Sequence, residues 1–280
     1  VLYLMSSFRL CGRMAAVRKI KSNEGNNAQQ VTDMSSFKDV VGHKNIIKYI
    51  ESAVSADAVS HAYILNGERG SGKKLLANLF SMSLQCQDRE EDGDACGKCQ
   101  SCRQAMSGNH PDIIRVIHEK PNTISVDDIR EQVNNDVVIK PYSSKYKIYI
   151  IADADMMSVQ AQNALLKTLE EPPQYAVIML LTENAEALLP TIRSRCVMMK
   201  LRNIKDQLVK KYLMEQMEIP DYKADVCVAF AQGNMGKAIM LATSEYFNEI
   251  KEDAVHLLRN LDDMTVSDLI DAVKHCMTYK

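Results

Sequence analysis

Short apolar runs alternate with longer amphipathic stretches through the first two thirds of the chain. Five of these runs carry few polar positions and many β-branched or aromatic residues, at 62–65, 113–117, 148–151, 177–181 and 196–199. Runs that are apolar at consecutive positions are typical of strands covered on both faces. The pattern therefore predicts five buried strands.

Between these runs, apolar residues recur at helical spacing. The spacing predicts helices of about 12–15 residues, the last of which ends before Pro172-Pro173. They cover 43–55, 73–85, 125–136 and 158–170. Alternating strands and helices predict an α/β fold, in which a parallel sheet is flanked by helices.

From about residue 203 the strand pattern stops. Helical patterns cover 205–217, 222–231, 235–243, 246–260 and 266–278. We therefore expect a disordered N-terminal extension over 1–34, the α/β domain over 35–202, a small helical domain over 203–244 and the beginning of another helical domain over 245–280.

Composition narrows the class of protein. Of the 280 residues, 46% are hydrophobic and 25% are charged, which excludes disorder as the main state. The net charge of −2 excludes a whole-chain basic excess for DNA binding, so any contact with DNA must be local or made through partners. No run of about 18 apolar residues is present to span a membrane, so we expect a soluble protein. The first 23 residues carry basic but no acidic side chains, which could indicate a targeting peptide. Their apolar stretch is short and interrupted by serines, however, and this favours a simple N-terminal extension.

A glycine-rich loop follows the first predicted strand and precedes a helix. It reads Gly67-Glu68-Arg69-Gly70-Ser71-Gly72-Lys73, and glycines at this spacing let backbone N–H groups surround a phosphate at the helix N-terminus. The next residue, Lys74, replaces the Ser or Thr that ligates Mg²⁺ in such loops, and an ammonium cannot coordinate a cation. The loop predicts a phosphate site that lacks the metal step of phosphoryl transfer.

The third strand should end in the acidic pair that serves Mg²⁺ and the attacking water. In the sequence Ile150-Ile151-Ala152-Asp153-Ala154-Asp155, Ala152 stands in the metal-binding position and Asp153 stands where a glutamate belongs. An alternative register uses Asp153 and Asp155 as the pair, beyond the apolar run. A structural interpretation is that Asp155 caps the helix that begins near Ser158.

Four of the eight cysteines lie close together, at Cys86, Cys96, Cys99 and Cys102. Cys96, Cys99 and Cys102 form two overlapping C-x-x-C steps, and Cys86 adds a fourth thiol. Four thiols are the number of ligands in a closed, tetrahedral structural zinc site. Residues 87–94 between the first two cysteines are strongly charged and offer no core, so we expect metal to hold this loop. His110 could replace one ligand, but it fits better in the turn before Pro111.

Two arginines, Arg193 and Arg195, precede the last strand. An arginine in this place can reach out of a subunit toward a phosphate, as an arginine finger does. Surface salt bridging is the simpler interpretation of the spacing alone. Cys196 has no histidine partner in the sequence and is expected to be a core thiol.

Several longer motifs recur together in one family. They are Phe37-x2-Val40-Val41-Gly42-His43, Ser60-His61-Ala62-Tyr63, the loop from Gly67 to Lys74, the four-cysteine insertion, His110-Pro111-Asp112, Ala161-x-Asn163-Ala164-Leu165-Leu166-Lys167-x2-Glu170-Glu171-Pro172-Pro173 and Ser194-Arg195-Cys196. From about residue 35 to 245 the chain resembles the clamp-loader branch of the AAA+ proteins, and within it the delta-prime subunits of bacterial DNA polymerase III. The resemblance implies an AAA+ P-loop domain over 35–202 with a zinc module at 86–102, a helical lid domain over 203–244 and a partial helical collar domain over 245–280.

The resemblance also implies roles for individual residues. Arg195 would act in trans on ATP held by a neighbouring subunit, and Thr182 matches a sensor position after the fourth strand. The ATPases of the family carry an arginine where this chain has Gly236. With Lys74 and Ala152, this makes three changes that each remove a group needed for hydrolysis. We therefore expect a subunit of the DNA polymerase III holoenzyme without ATPase activity of its own, in which passive binding of ATP or ADP at Gly67–Lys74 stays open.

The partners implied by the resemblance are the gamma/tau and delta subunits in a hetero-pentamer, with the sliding clamp and primer-template DNA reached through the complex. The implied location is the bacterial cytoplasm, without a membrane. One alternative is an active, gamma/tau-like clamp-loader ATPase, which would need Ser or Thr at position 74. Another is a DNA-binding zinc module, which the acidic residues within 86–102 disfavour. Three lysines could line a DNA-facing side or form a solvated loop: Lys140, Lys145 and Lys147.

Overall fold

A computed structural model describes residues 36–118 and 120–260, together with residues 264, 265, 267, 270 and 274. The chain divides into two compact units, with the boundary between Lys205 and Asp206. The expected N-terminal extension and most of the helix predicted at 266–278 lie outside the described residues. The further division of the helical part at residue 244 stays a prediction.

The first unit is built on a five-stranded sheet in which all pairs of neighbouring strands are parallel. The strands are β1 (Ala62–Asn66), β2 (Ile113–Val116), β3 (Lys147–Ile151), β4 (Ala176–Thr182) and β5 (Val197–Lys200), in the spatial order β2-β3-β4-β1-β5. The five apolar runs thus became five strands, and the predicted α/β fold with a parallel sheet is confirmed. The carboxyl ends of β1 and β4 lie side by side, because Asn66 pairs with Thr182.

Helices connect the strands of this unit. They are α1 (Lys44–Ser55), α2 (Lys73–Gln85), α3 (Gln100–Met106), α4 (Val126–Ile129), α5 (Val159–Glu170) and α6 (Pro190–Arg193). The helix predicted at 125–136 differs from the expectation, because α4 widens into a π-helical turn at Arg130–Asn134. The side chain of Asn134 donates to the carbonyl of Ala164 and accepts from Thr168, which ties this turn to α5.

Side chains alternate between two apolar layers, one on each face of the sheet. In β1, Tyr63 and Leu65 join one cluster with Phe80 of α2, and Ile64 joins the other with Leu165 of α5. Burial of both faces is the physical reason that the strands appear in the sequence as continuous apolar runs. The loops at the carboxyl ends of the strands remain free to carry chemistry.

The second unit is helical over its described residues. It contains α7 (Asp206–Glu215), α8 (Asp221–Ala231), α9 (Met235–Thr243) and α10 (Glu245–Arg259). Helix α10 contains no buried residue, although Phe247 contacts Phe230 edge to face. No helix in the described parts of the chain is long and apolar enough to cross a membrane.

Candidate functional site

The glycine-rich loop lies between β1 and α2, at the carboxyl edge of the sheet. Gly70 and Gly72 have φ of 85° and 94°, a backbone region that favours glycine. A Cβ on Gly67 would lie 2.7 Å from Oγ of Ser71 and 2.9 Å from Cβ of Leu201, so the first position has no room for a side chain. The loop therefore has the compact form expected from its sequence.

Lys73 turns back over this loop. Its buried ammonium donates to the carbonyl of Gly67 and, at 3.0 Å, to the carbonyl of Glu68. Burial lowers the pKa of Lys73, while the charges of Glu183, Asp153 and Asp155 act in the opposite direction. An ammonium has three hydrogens, so two are used to hold the loop and one is left for a ligand.

Some polar groups around Lys73 have hydrogen-bond partners and one does not. Lys74, in the first turn of α2, is exposed and lies close enough to lower the pKa of Lys73 by charge repulsion. Nε2 of His43 donates to the carbonyl of Ser71 at 3.1 Å. The hydroxyl of Ser71 itself is buried and has no hydrogen-bond partner. Two neighbouring cations, Lys73 and Lys74, therefore lie next to a loop whose Ser71 hydroxyl has no hydrogen-bond partner.

Thr182 ends β4 beside the loop, and its carbonyl accepts from the N–H of Gly67 at 3.1 Å. Its buried hydroxyl donates to Oδ1 of Asp155 at 2.7 Å and accepts from the N–H of Asn184. Asp155 also accepts from the N–H of Glu183. The structure thus brings the last residue of β4 into contact with a residue that follows the end of β3.

The interpretation of Asp155 as a helix cap is wrong. Ser158 caps α5, since its hydroxyl accepts from the N–H of Ala161 at 3.1 Å. Asp155 turns instead toward Thr182, because the short 3₁₀ turn at Ala154–Met156 carries it across to the end of β4. Asp153 begins that turn with φ of 50°.

Glu183 is a site residue that the sequence argument missed. Its backbone N–H donates to Asp155, and its charge, with those of Asp153 and Asp155, partly offsets the lowering of the Lys73 pKa by burial. The signal in the sequence was its place directly after Thr182. Ala152 leaves the end of β3 without a carboxylate at the first position after the strand.

The four cysteines converge. Their sulfur atoms all lie within 4.8 Å of one another. Cys86 follows the last residue of α2, as predicted, and Cys99 precedes α3. Backbone N–H groups donate to three of the sulfurs: Cys96 N–H to Cys86, Cys99 N–H to Cys96, and Cys102 N–H to Cys99, at 3.3–3.4 Å.

The donor set fits one tetrahedral Zn²⁺, for which four thiolates form a closed structural site. At Cys99 desolvation raises the pKa, but hydrogen bonds from the backbone of Cys102 and Gln87 outweigh it and lower the pKa to about 6. Desolvation raises the pKa of Cys102, and a bound cation would offset that cost. The cluster could therefore hold a metal.

The charged loop between Cys86 and Cys96 is not held by cysteines alone, contrary to the sequence argument. The guanidinium of Arg89 donates to the carbonyls of Ser83 and Leu84 at the end of α2. The buried carboxylate of Asp94 accepts from the hydroxyl of Ser36 at 2.6 Å and from the N–H of Phe37 at 3.0 Å. The charges in this loop thus fasten it to α2 and to the beginning of the described chain.

His110 does not join the cysteines. Its Nε2 lies 2.9 Å from the hydroxyl of Ser101, which itself donates to the carbonyl of Gln85. Nε2 is therefore the donor, and Nδ1 accepts from the N–H of Asp112 at 3.1 Å. The ring is satisfied on both sides within the turn around Pro111, as the sequence favoured.

Arg195 lies between α6 and β5 and is 36% exposed at its side chain. Its Nη1 donates to the carbonyl of Thr191, and its Nη2 lies 2.9 Å from Oε1 of Glu170. Arg193 pairs with Glu186 and is more buried. Burial raises the pKa of the Cys196 thiol to about 12, but this cysteine is only partly buried and packs against an apolar cluster, so it is not the core thiol that was expected.

The lysines at 140, 145 and 147 do not form one basic surface. Lys147 is buried, pairs with Asp136 at 2.8 Å and donates to two carbonyls of the preceding loop. Lys145 pairs with Asp57.

Gly236, where the ATPases of the family carry an arginine, belongs to the second unit. It lies in the first turn of α9, and Asn234 caps this helix.

Known proteins resemble this chain over most of its length. A family model described as DNA polymerase III, delta subunit, matches residues 42–205. The DNA polymerase III subunit tau of Bacillus subtilis (strain 168) is 31% identical over 262 residues, which are 86% of this chain and 46% of that protein. The subunit delta' of the same bacterium is 32% identical over 213 residues, covering 76% of this chain and 63% of that protein.

A solved structure shares the fold. The RuvB Holliday junction branch migration motor of Thermotoga maritima has a TM-score of 0.53 and 14% identity, and the match covers 87% of this chain and 72% of that one. This likeness concerns the AAA+ P-loop fold alone. The chain spans about half the length, 46%, of the tau relative. Since the family model matches more than half of its residues, the chain belongs to the DNA polymerase III delta-subunit family of clamp-loader subunits.

Proposed function

We propose that the chain is a non-hydrolysing, delta-prime-type subunit of a bacterial clamp loader. In this role it would help to load the sliding clamp on primed DNA and would supply Arg195 to the ATP site of a neighbouring subunit. The observation that carries the proposal is Lys74, an exposed cation at the position where a metal-ligating hydroxyl is required.

The surroundings of Lys74 support the loss of hydrolysis. The hydroxyl of Thr182 donates to the carboxylate of Asp155, so the sensor hydroxyl and this acid are engaged with each other. The first position after β3 is Ala152, which has no oxygen for a metal. Phosphoryl transfer needs Mg²⁺ and a positioned water, and these residues supply neither of the usual ligands.

The contacts of Arg195 support its role in trans. Its ion pair with Glu170 is half exposed, and pairs of this kind contribute about 0–1 kcal/mol to stability. The guanidinium could therefore leave Glu170 for a phosphate at small cost. An arginine finger stabilises charge in the transition state and raises rates by about 10³–10⁵-fold.

The four cysteines are proposed to hold a structural Zn²⁺, because they offer a closed set of sulfur ligands without an open position. The proposed partners are gamma/tau and delta subunits, and through them the sliding clamp and primer-template DNA. The names of the relatives, subunits of DNA polymerase III, support these partners and a location in the bacterial cytoplasm.

The test is the clamp- and DNA-stimulated ATPase rate of a clamp loader reconstituted from gamma/tau, delta and this subunit. We expect Arg195→Ala to remove the activity of one ATP site, while Glu170→Gln, which removes only the ion-pair partner, leaves the rate unchanged. Size-exclusion chromatography must show that both variants assemble. An unchanged ATPase rate with Arg195→Ala would show that Arg195 forms only a surface ion pair and does not serve a neighbouring ATP site.

The second candidate is an active, gamma/tau-like ATPase. It is favoured by Asp153 and Asp155, the acidic pair of the alternative register, which follow β3 and could serve a metal there. The 31% identity to a tau subunit also supports it. Hydrolysis of Mg-ATP by the isolated full chain, abolished by Lys73→Ala, would establish this activity and refute the non-hydrolysing proposal.

A further inference from the structure

The loop between Cys86 and Cys96 joins the first two of the four proposed zinc ligands. Cys86 directly follows α2, so that helix sets its place, whereas Cys96 stands at the end of residues 87–95. The N–H of Cys96 donates to the sulfur of Cys86 at 3.3 Å, so the loop is closed in the structure. Closing a loop costs chain entropy. Contacts that hold this loop closed without metal therefore lower the cost of binding the metal.

The first part of this loop is fastened to α2. The hydroxyl of Ser83, within that helix, donates to the carbonyl of Gly93 at 2.6 Å, and both residues are buried. This bond holds the loop as far as Gly93. Between this point and Cys96 lie Asp94 and Ala95. The placement of Cys96 therefore depends on the contacts of these two residues.

Asp94 makes the contacts that fix this last stretch of the loop. Its carboxylate is buried, and Oδ1 accepts from the N–H of Ala95 at 2.8 Å. Oδ2 accepts from the hydroxyl of Ser36 at 2.6 Å and from the N–H of Phe37 at 3.0 Å. A carboxylate taken out of water is costly unless donors satisfy it. Ser36 and Phe37 therefore stabilise Asp94 in the position where the structure places it.

The segment that supplies these donors packs on the same apolar cluster as the cysteines. Phe37 is buried in this cluster together with Ala95 and Cys102, and the other three proposed ligands pack against it. Lys38 adds ion pairs with two acidic residues of the loop. Both pairs are exposed, and exposed ion pairs contribute little to stability. The polar link between the segment and the loop is therefore mainly the carboxylate of Asp94.

We infer that Ser36, Phe37 and Asp94 form an N-terminal clasp that holds the loop closed and places Cys96 for the metal. Asp94 is a positioning residue of the metal site, because it acts through the backbone that leads to Cys96. The inference rests on the proposed structural Zn²⁺ and deepens it, since the site then depends on a serine 58 positions before Asp94 in the sequence. Coupling between two binding events is reciprocal, so bound metal also stabilises the contacts of the clasp.

The first measurement is the affinity of the full chain for Zn²⁺, by competition with a chromophoric chelator. We expect Asp94→Asn to bind Zn²⁺ about tenfold or more weakly, since loss of a group that orients metal ligands costs about 10–100-fold in affinity. Ser36→Ala removes one donor to the carboxylate and should weaken binding by a smaller factor; it carries the test if circular dichroism shows that Asp94→Asn does not fold.

Glu91→Gln is the matched control. It removes one exposed carboxylate charge from the same loop and should leave the affinity for Zn²⁺ unchanged. If the folded variants Asp94→Asn and Ser36→Ala bind Zn²⁺ as tightly as Glu91→Gln, the inference is overturned.

The second measurement is hydrogen exchange at the N–H of Phe37, which donates to Asp94, before and after a chelator removes the zinc. We expect exchange at this amide to become about tenfold faster without zinc, because the coupling acts in both directions. The N–H of Ile178 in β4 donates to the carbonyl of His61 and should keep its exchange rate. An unchanged rate at Phe37, or an equal acceleration at Ile178, overturns the inference.

Failure of the proposed zinc site gives a different result. A wild-type chain that binds no Zn²⁺ refutes the metal site and the clasp together. Zinc that is bound with equal affinity by the wild type and by Asp94→Asn refutes the clasp alone.

Discussion

The carboxylate of Asp112 fastens the loop before β3, and its replacement by asparagine should destabilise the first unit measurably. Asp112 is 1% exposed. One oxygen accepts from the N–H of Tyr142, and the other accepts from the N–H and the hydroxyl of Ser143 at 2.8 and 3.1 Å. Asparagine keeps the shape but replaces one acceptor oxygen by an NH₂ group. That group would face an N–H donor.

The magnitude follows from these contacts. Hydrogen bonds to a charged group contribute about 1.5–3 kcal/mol each, and the asparagine loses one or two of them. The N–H groups belong to exposed residues and can be solvated again by water, which places the cost near the lower end. We expect Asp112→Asn to lower the free energy of unfolding by about 2–3 kcal/mol. Ser143→Ala, which removes only the hydroxyl bond, should cost about 0.5–1 kcal/mol.

The measurement is urea unfolding followed by far-UV circular dichroism, together with hydrogen exchange at the N–H of Ile148. That amide donates to the carbonyl of Asp112 and reports on the first unit by itself. Asp127→Asn is the matched control, because the side chain of Asp127 is 75% exposed and its ion pair with Arg130 is long, at 3.8 Å. If Asp112→Asn and Asp127→Asn lower the free energy of unfolding equally, the carboxylate of Asp112 does not hold the loop before β3 in place.

Three further predictions follow from other contacts. Gly67→Ala should destabilise the protein by about 1–3 kcal/mol in urea unfolding, because the added methyl meets Ser71 and Leu201 at under 3.0 Å; an unchanged midpoint would contradict this packing. Burial lowers the pKa of His43 and His110 below the ordinary value of about 6.5, so the unfolded chain binds protons more readily than the folded chain. The thermal unfolding midpoint should therefore fall as the pH drops below about 6.5. A midpoint that stays constant from pH 7 to 5 would contradict this prediction. Purified protein should contain one zinc per chain by metal analysis, Cys99→Ser should lose it and Cys196→Ser should keep it; retention by Cys99→Ser would exclude the cysteine cluster as the zinc site.

Much of the fold could be predicted from the sequence, because its signals are local. A strand covered on both faces must be apolar at consecutive positions, so each of β1 to β5 is visible in a short window. The same holds for the glycine-rich loop, whose turn depends on residues six positions apart. The cysteine set was visible because its ligands are neighbours along the chain.

The contacts between distant segments could not be predicted in this way. Nothing near Asp155 indicates that its carboxylate meets Thr182, and nothing near Asp94 indicates that it holds Ser36. Lys147 appeared to belong to an exposed basic cluster until the structure placed it inside, beside Asp136. In each case the partner is chosen by the order of strands in the sheet and by the path of the loops.

The sequence by itself therefore determined the elements, the phosphate loop with Lys74 and the four cysteines of the candidate metal site, since each depends on residues close in the chain. Tertiary structure alone decided which polar side chains are engaged with one another and which remain unsatisfied, as Ser71 does. The physical reason is that a buried polar group takes its partner from whatever segment the fold brings within about 3 Å of it.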